Sequence, residues 1–293
     1  MAAGGKEPSL LPKLDGKVLI IKDFTPIISG NRDRRAAILG QLRDAYDGSS
    51  AMAFGTGDTK SFESRFGLLF AVTPAIEACW PVINTLGERF IYYRCHGGDS
   101  LQKAEAAMEN SDNKSQMRAE LAEASRGVLD QHAPPTIKVG KSIRTQIVHL
   151  ADFVAKARTP VEREGRSGEV TYTPSPEIGT RLAGQFVQLA RGITVARGEV
   201  ECPESLMEMI RYVGRSAIPH TRLKLLEQLS RASEPEKTSN LGQAVGLGTG
   251  TVSRALHDLW ALKLVHRVTF NTNAYCWELS QLARDRLSVT RLF

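Results

Sequence analysis

Long apolar runs are missing from this chain of 293 residues. None approaches the roughly 20 residues that a membrane-spanning helix needs. The N-terminal MAAGGKEPSL has no hydrophobic core of the kind a secretion signal carries. Cysteine is scarce: Cys79, Cys95, Cys202 and Cys276 lie far apart and form no CxxC pair. That spacing argues against a disulfide framework and a cysteine zinc site. A cytoplasmic protein with reduced thiols and no membrane contact is expected. Also missing is G-x-x-x-x-G-K-[ST], the loop that cradles nucleotide phosphates. Two stretches approach it and fail. GTGDTKS (Gly55 to Ser61) has Thr59 at the second glycine, and KVGKS (Lys138 to Ser142) has Pro135 at the first.

What is present is an ordinary globular composition, 42% hydrophobic and 24% charged, with a length that predicts about two domains. The formal charge is +6, and most of the excess lies near the C-terminus. From Gly214 to Phe293 there are 11 Lys or Arg against 6 Asp or Glu, so 11 − 6 = +5. A basic terminal module suggests a polyanionic partner, nucleic acid first.

Hydrophobic patterning predicts an α/β chain. KVLIIK (17–22), FGLLFAVT (66–73) and RFIYYR (89–94) read as strands. The first two are continuously apolar, as expected for a parallel sheet covered by helices on both faces. NRDRRAAILGQLRDAY (31–46) reads as a helix with Ala37, Ile38, Gln41, Leu42 and Ala45 on one stripe. The segment 49–65, with Gly55-Thr56-Gly57-Asp58 at its centre, could form a hairpin. Residues 99–158 read as polar helices, broken at Pro134-Pro135 and resuming near Ile137. SPEIGTRLAGQFVQLARGITVARG is a long amphipathic helix with a Gly after its end, and PESLMEMIRYVG and HTRLKLLEQLS are shorter ones.

The last block orders a short helix (LGQAV), a glycine-rich turn (Gly246 to Gly250), a second helix (Thr251 to Leu262) and a hairpin. That is the winged helix-turn-helix order. The second helix would enter a DNA major groove by its N-terminal end. Thr249, Thr251, Ser253 and Arg254 would face the DNA there. His266, Arg267 and the tip Asn271-Thr272-Asn273 would lie on the wing.

Taken in order, these features resemble the C-terminal part of an AAA+ ATPase of the helicase type, close to the minichromosome maintenance helicases and MoxR-like ATPases, in a phage or mobile-element version. The resemblance spans about residues 10–290 and rests on order and spacing. It implies a partial AAA+ parallel-sheet core (10–133), a helical region with lid (134–231) and a winged-helix DNA-binding domain (232–293). VLIIKDF occupies the Walker B place. Lys22 stands where the family has its first acid, and Asp23 takes the second place, as the acid that activates water or holds the metal. Thr73 matches sensor 1. Arg89 matches the arginine finger that reaches a neighbouring subunit, which implies a homo-oligomeric ring. Arg181 matches the nucleotide-contacting sensor 2 of the lid. Lys60 would touch DNA from the hairpin.

ATP and Mg2+ are then expected in the complete assembly. Tight binding by this chain alone is not, because the phosphate loop's N–H groups and lysine are missing. Another polypeptide supplying that half is the expected partner, the chain itself reading as a fragment, a split-gene product or a degenerate descendant. Two alternatives stand beside this reading: a non-enzymatic DNA-binding or regulatory protein, and a MoxR-like chaperone ATPase.

Overall fold

A computed structural model describes residues 10–53, 59–79, 89–95, 99–130, 136–165, 168–172, 175–176, 178–269 and 275–293. The fold is mixed α/β, with a small parallel sheet and small antiparallel sheets. Among the described residues no helix is long and apolar enough to cross a membrane. The chain divides into two units, Met1–Phe90 and Ile91–Phe293.

In the first unit, β1 (Val18–Ile21) pairs in parallel with β4 (Gly67–Phe70), in the register Val18↔Gly67 to Ile21↔Phe70. The two continuously apolar runs therefore become parallel strands. Their burial alternates, however. Leu19, Ile21, Leu68 and Phe70 are half-buried, whereas Val18 and Ile20 are each 62% exposed and Leu69 60%. One face of the sheet is thus open, where the continuous apolar runs predict coverage on both. Phe24 and Ile28, on and beside the short helix α1 (Thr25–Ile28), and Leu39 supply a small core, with the Phe24 ring stacked 4.4 Å from Phe70. Among the described residues this sheet has two strands, too few to sandwich between helix layers.

Helix α2 (Arg32–Tyr46) begins at Asn31, whose side chain accepts the backbone N–H groups of Asp33 and Arg34. Its inward stripe lies one residue round from the predicted one. Leu39 is its buried residue, while Ala37 and Gln41 are exposed. Arg35 shares the inward face and donates to the Ile28 carbonyl at 2.7 Å, so the apolar side of the helix turns with it. The predicted hairpin forms from β2 (Ser49–Ala53) and β3 (Thr59–Glu63), paired antiparallel from Ser49↔Glu63 to Ala53↔Thr59. Its turn, Gly55 to Asp58, lies outside the described residues.

RFIYYR is not a strand. Arg94 shows why. Its N–H donates to Ser216 Oγ at 3.2 Å, its guanidinium to the Ile218 carbonyl at 2.9 Å, and its carbonyl accepts the Tyr212 hydroxyl. Side chains of the helical unit take the polar groups that a ladder would have used.

The second unit contains α3 (Ser100–Glu109) and α4 (Lys114–Leu129), neither of which buries a side chain. Its core begins with α5 (Lys141–Arg158) and α6 (Thr180–Ala196). It continues through α7 (Met207–Ser216), α8 (His220–Arg231), α9 (Thr238–Val245) and α10 (Thr249–Ala261) to α11 (Gln281–Thr290). One buried cluster runs from Ile137 to Leu292 without a break, so helices on both sides of residue 231 share it. Asp152 of α5 accepts from Arg286 Nε of α11 at 2.9 Å and ties the last helix to the first of this core.

The α5–α6 contact is close because Gly179 precedes α6. A Cβ there would lie 2.8 Å from the Ala151 carbonyl carbon and oxygen. These are backbone atoms inside a helix and cannot swing aside. Gly179→Ala is therefore expected to cost about 1–3 kcal/mol through forced separation of the helices. Urea unfolding followed by circular dichroism measures it; an unchanged midpoint would mean that the helices part without strain.

Helices α9 and α10 are joined through Gly246, which is left-handed at φ 69° and lets the Leu247 N–H reach the Gly242 carbonyl at 3.0 Å. Leu241, Val245, Val252, Leu256 and Leu259 bury the inner faces. A three-stranded antiparallel sheet follows in the order β5 (Glu236–Lys237), β7 (Tyr275–Leu279), β6 (Val265–Thr269). Trp277 of β7 is 1% exposed, and its indole N–H donates to Thr238 Oγ1 at 2.9 Å.

Candidate functional site

Each unit carries one group of predicted site residues. In the first, β1 and β4 end side by side. The Phe24 N–H donates to the Ala71 carbonyl at 2.8 Å, which brings Asp23 and Thr73 to the same strand ends. Thr25 bridges them, and sequence reasoning missed it. Its backbone N–H donates to Asp23 Oδ1 at 2.9 Å, its Oγ1 accepts the Thr73 N–H at 3.2 Å, and the two threonine hydroxyls are 3.3 Å apart. Hydrogen bonds from Thr25, hydroxyl first and backbone N–H second, hold the Asp23 carboxyl below its ordinary value. The Thr25 hydroxyl has one proton; when it goes to Asp23, the Thr73 hydroxyl donates in the 3.3 Å contact instead. The available signal was Asp-Phe-Thr itself, since an Asp commonly accepts the N–H two residues on.

The result is an exposed, ionised carboxylate beside two hydroxyls at the C-terminal ends of parallel strands. Magnesium is commonly held by one or two carboxylates together with phosphate oxygens and water. Asp23 fits one such place and cannot hold the ion alone. Among the described residues no three His, Cys, Asp or Glu side chains cluster to hold a metal.

Arg89 is held within its own unit. Its Nη2 donates to Asp47 Oδ2 at 2.6 Å, and its guanidinium lies 5.9 Å from the Tyr46 ring. A reach to a neighbouring subunit would require that pair to open. The backbone of Lys60 in β3 pairs opposite Met52 in the hairpin. Arg181 is in the second unit, one residue inside the start of α6, and is half-buried.

The second group lies on α10 and the β6–β7 hairpin. Thr249, Thr251 and Arg254 are exposed and Ser253 is half-exposed, all on the first turns of α10. His266 and Arg267 are exposed on β6. The tip Asn271 to Asn273 lies outside the described residues. Helical spacing puts Thr249, Ser253, His257 and Trp260 along one flank of α10. The opposite flank is occupied: Asp258 Oδ1 accepts Arg163 Nε at 3.1 Å, and Arg163 Nη2 donates to the Arg254 carbonyl at 3.0 Å. On the open flank, Arg267 places its guanidinium carbon 4.9 Å from the Trp260 ring centre and 4.1 Å from that of Tyr275. Neither aromatic was predicted as a site residue, and nothing in their spacing announces the contact.

Burial, with the Arg163 and Arg267 charges, pulls His257 below its ordinary value of 6.5. The unfolded chain then takes the proton more readily. Stability from this group is unaffected above about pH 6.5 and falls as the pH drops through that value. The melting temperature is expected to fall between pH 7.5 and 5.5, and to fall less in His257→Gln. Identical pH profiles for the two proteins would exclude His257 as the cause.

A separate cavity of about 720 Å³ opens beside the start of α5, lined by Lys141, Ser142, Thr145, Glu204, Arg211 and Arg291. KVGKS leads into a helix of the second unit's core, and among the described residues it does not follow a strand of the parallel sheet.

Comparison of the chain with protein-family models and with curated proteins gives no match.

Proposed function

We propose that this chain is a DNA-binding protein of the helicase-like AAA+ ATPase type, with its DNA contact in a winged helix at residues 232–293. The observation that carries the reading is the packing of residues 236–269 and 275–279. A helix, a left-handed glycine turn and a second helix are followed by a hairpin that presents Arg267 beside that second helix and His266 exposed on its other face. Thr249, Thr251, Ser253 and Arg254 would meet a major groove, and the two hairpin residues the adjacent phosphates. Fluorescence anisotropy with duplex DNA tests it. Affinity is expected to fall steeply with salt, and Arg254→Ala to lower the log–log salt slope by about 1. Salt-independent binding, or none, would overturn the reading.

The ATPase side rests on the meeting of Asp23, Thr25 and Thr73 at the strand ends. In a complete assembly Asp23 would hold Mg2+ or orient the attacking water and Thr73 would face the γ-phosphate. Arg89 would act from a neighbouring subunit of a ring, and Arg181 from the lid. ATP with Mg2+ would supply the driving reaction, in replication or maintenance of a phage or mobile element. The exposed Val18, Ile20 and Leu69 favour a partner polypeptide that covers this face of the sheet and brings a phosphate loop. The chain alone is expected to give no saturable binding of fluorescent ATP–Mg2+ at micromolar concentration. Saturation there would mean that a phosphate site exists within this sequence. Non-enzymatic DNA binding is the second reading, favoured by Lys22 at the place of the first acid.

A further inference from the structure

We infer that the aromatic–cation stack of Trp260 on α10 with Arg267 and Tyr275 on the hairpin is a binding platform for unpaired DNA bases; this rests on the DNA-binding reading and assigns part of that surface to single strands. Three observations carry it. Arg267 lies over both rings, 4.1 Å from Tyr275 and 4.9 Å from Trp260. Trp260 and Tyr275 each remain 45% exposed. The stack continues the open flank of α10 that carries Thr249 and Ser253.

The arrangement follows from the register. Arg267 faces Trp277 across the ladder, and Tyr275 stands two residues before Trp277, so all three share one face of the hairpin. At Trp277 that face is packed against the helices. Towards the far end of the hairpin it runs past the core, and Arg267 and Tyr275 emerge beside Trp260 at the end of α10.

The chemistry selects the ligand. A half-exposed indole and phenol each offer a flat apolar surface, and a guanidinium held by them is a cation whose side-chain freedom is already reduced. Bases in a duplex are stacked on one another and have no free face. Bases of a single strand do, and they stack on aromatic side chains with little sequence preference. Arg267 adds a donor fork for the phosphate next to a stacked base.

The test uses the full chain and three labelled ligands followed by anisotropy: oligothymidylate, an abasic oligonucleotide of the same length, and a duplex. Oligothymidylate is expected to bind about 10-fold or more tighter than the abasic strand, and to quench tryptophan fluorescence. Trp260→Ala is expected to remove that advantage, and Trp260→Phe to retain most of it. A melting temperature equal to that of the unaltered protein separates the effect from unfolding. Equal affinity for thymidylate and abasic strands, or Trp260→Ala without effect, overturns the platform. Duplex binding with no thymidylate preference overturns it and leaves the DNA reading standing. Failure to bind any of the three overturns both.

Discussion

Replacing Asp258 with Ala is expected to destabilise the second unit by about 3–5 kcal/mol, the cost of leaving a buried charge without its partner. Asp258 accepts from two arginines at once, from Arg222 Nη2 at 3.0 Å and from Arg163 Nε at 3.1 Å. Arg222 is 7% exposed and also donates to the Ala157 and Thr159 carbonyls at 3.0 and 2.7 Å. Burial works against its charge, and Asp258 is the carboxylate that offsets that cost. Removing Asp258 strands the guanidinium between backbone carbonyls that satisfy its hydrogens and leave its charge uncompensated. Arg163 is less enclosed and turns to water. Urea unfolding followed by circular dichroism gives the loss. The double variant Asp258→Leu with Arg222→Met removes both charges, and it is expected to recover part of the stability. An equal loss in the single and double variants would show that the pair is not what holds α8, α10 and the end of α5 together.

Trp277→Ala is expected to cost about 3–5 kcal/mol, as for other large aromatic residues removed from a core. The indole is almost fully buried, packs 5.4 Å from the His257 ring and fixes β7 to the start of α9 through Thr238. Its loss leaves a cavity under the hairpin and a hydroxyl without its donor. Trp277→Phe keeps most of the volume and loses the hydrogen bond, so a smaller loss of about 1–2 kcal/mol is expected. Thermal denaturation of the two variants distinguishes them. A loss below about 1 kcal/mol for the alanine variant would mean that the hairpin is not anchored by this residue. Since Arg267 lies opposite Trp277, the same variant is expected to weaken DNA binding beyond what its folded fraction explains.

Local patterns were legible wherever one residue type has one strong conformational reason. Asn31 begins α2 because its side chain caps the first free N–H groups. Gly246 ends α9 because a left-handed turn suits a residue without a Cβ. The apolar runs at 18–21 and 67–70 form strands, and their parallel pairing follows from the helix and hairpin between them. RFIYYR misled because its apolar content is that of a strand, while its backbone partners, Ser216 and Tyr212, lie more than a hundred residues away.

The sequence by itself determined the helix, turn, helix and hairpin order of residues 241–279, the basic character of the last quarter and the lack of a phosphate-loop motif, since each depends on residue type and near neighbours. Only the tertiary structure decided which distant groups meet. Thr25 joins Asp23 to Thr73 across 48 residues, Asp47 engages Arg89, and Arg267 lies between Trp260 and Tyr275. Those contacts depend on strand register and helix rotation. A shift of one residue sends a strand side chain to the opposite face and turns a helix side chain by about 100°, and packing of the whole unit selects among the registers that local pattern allows.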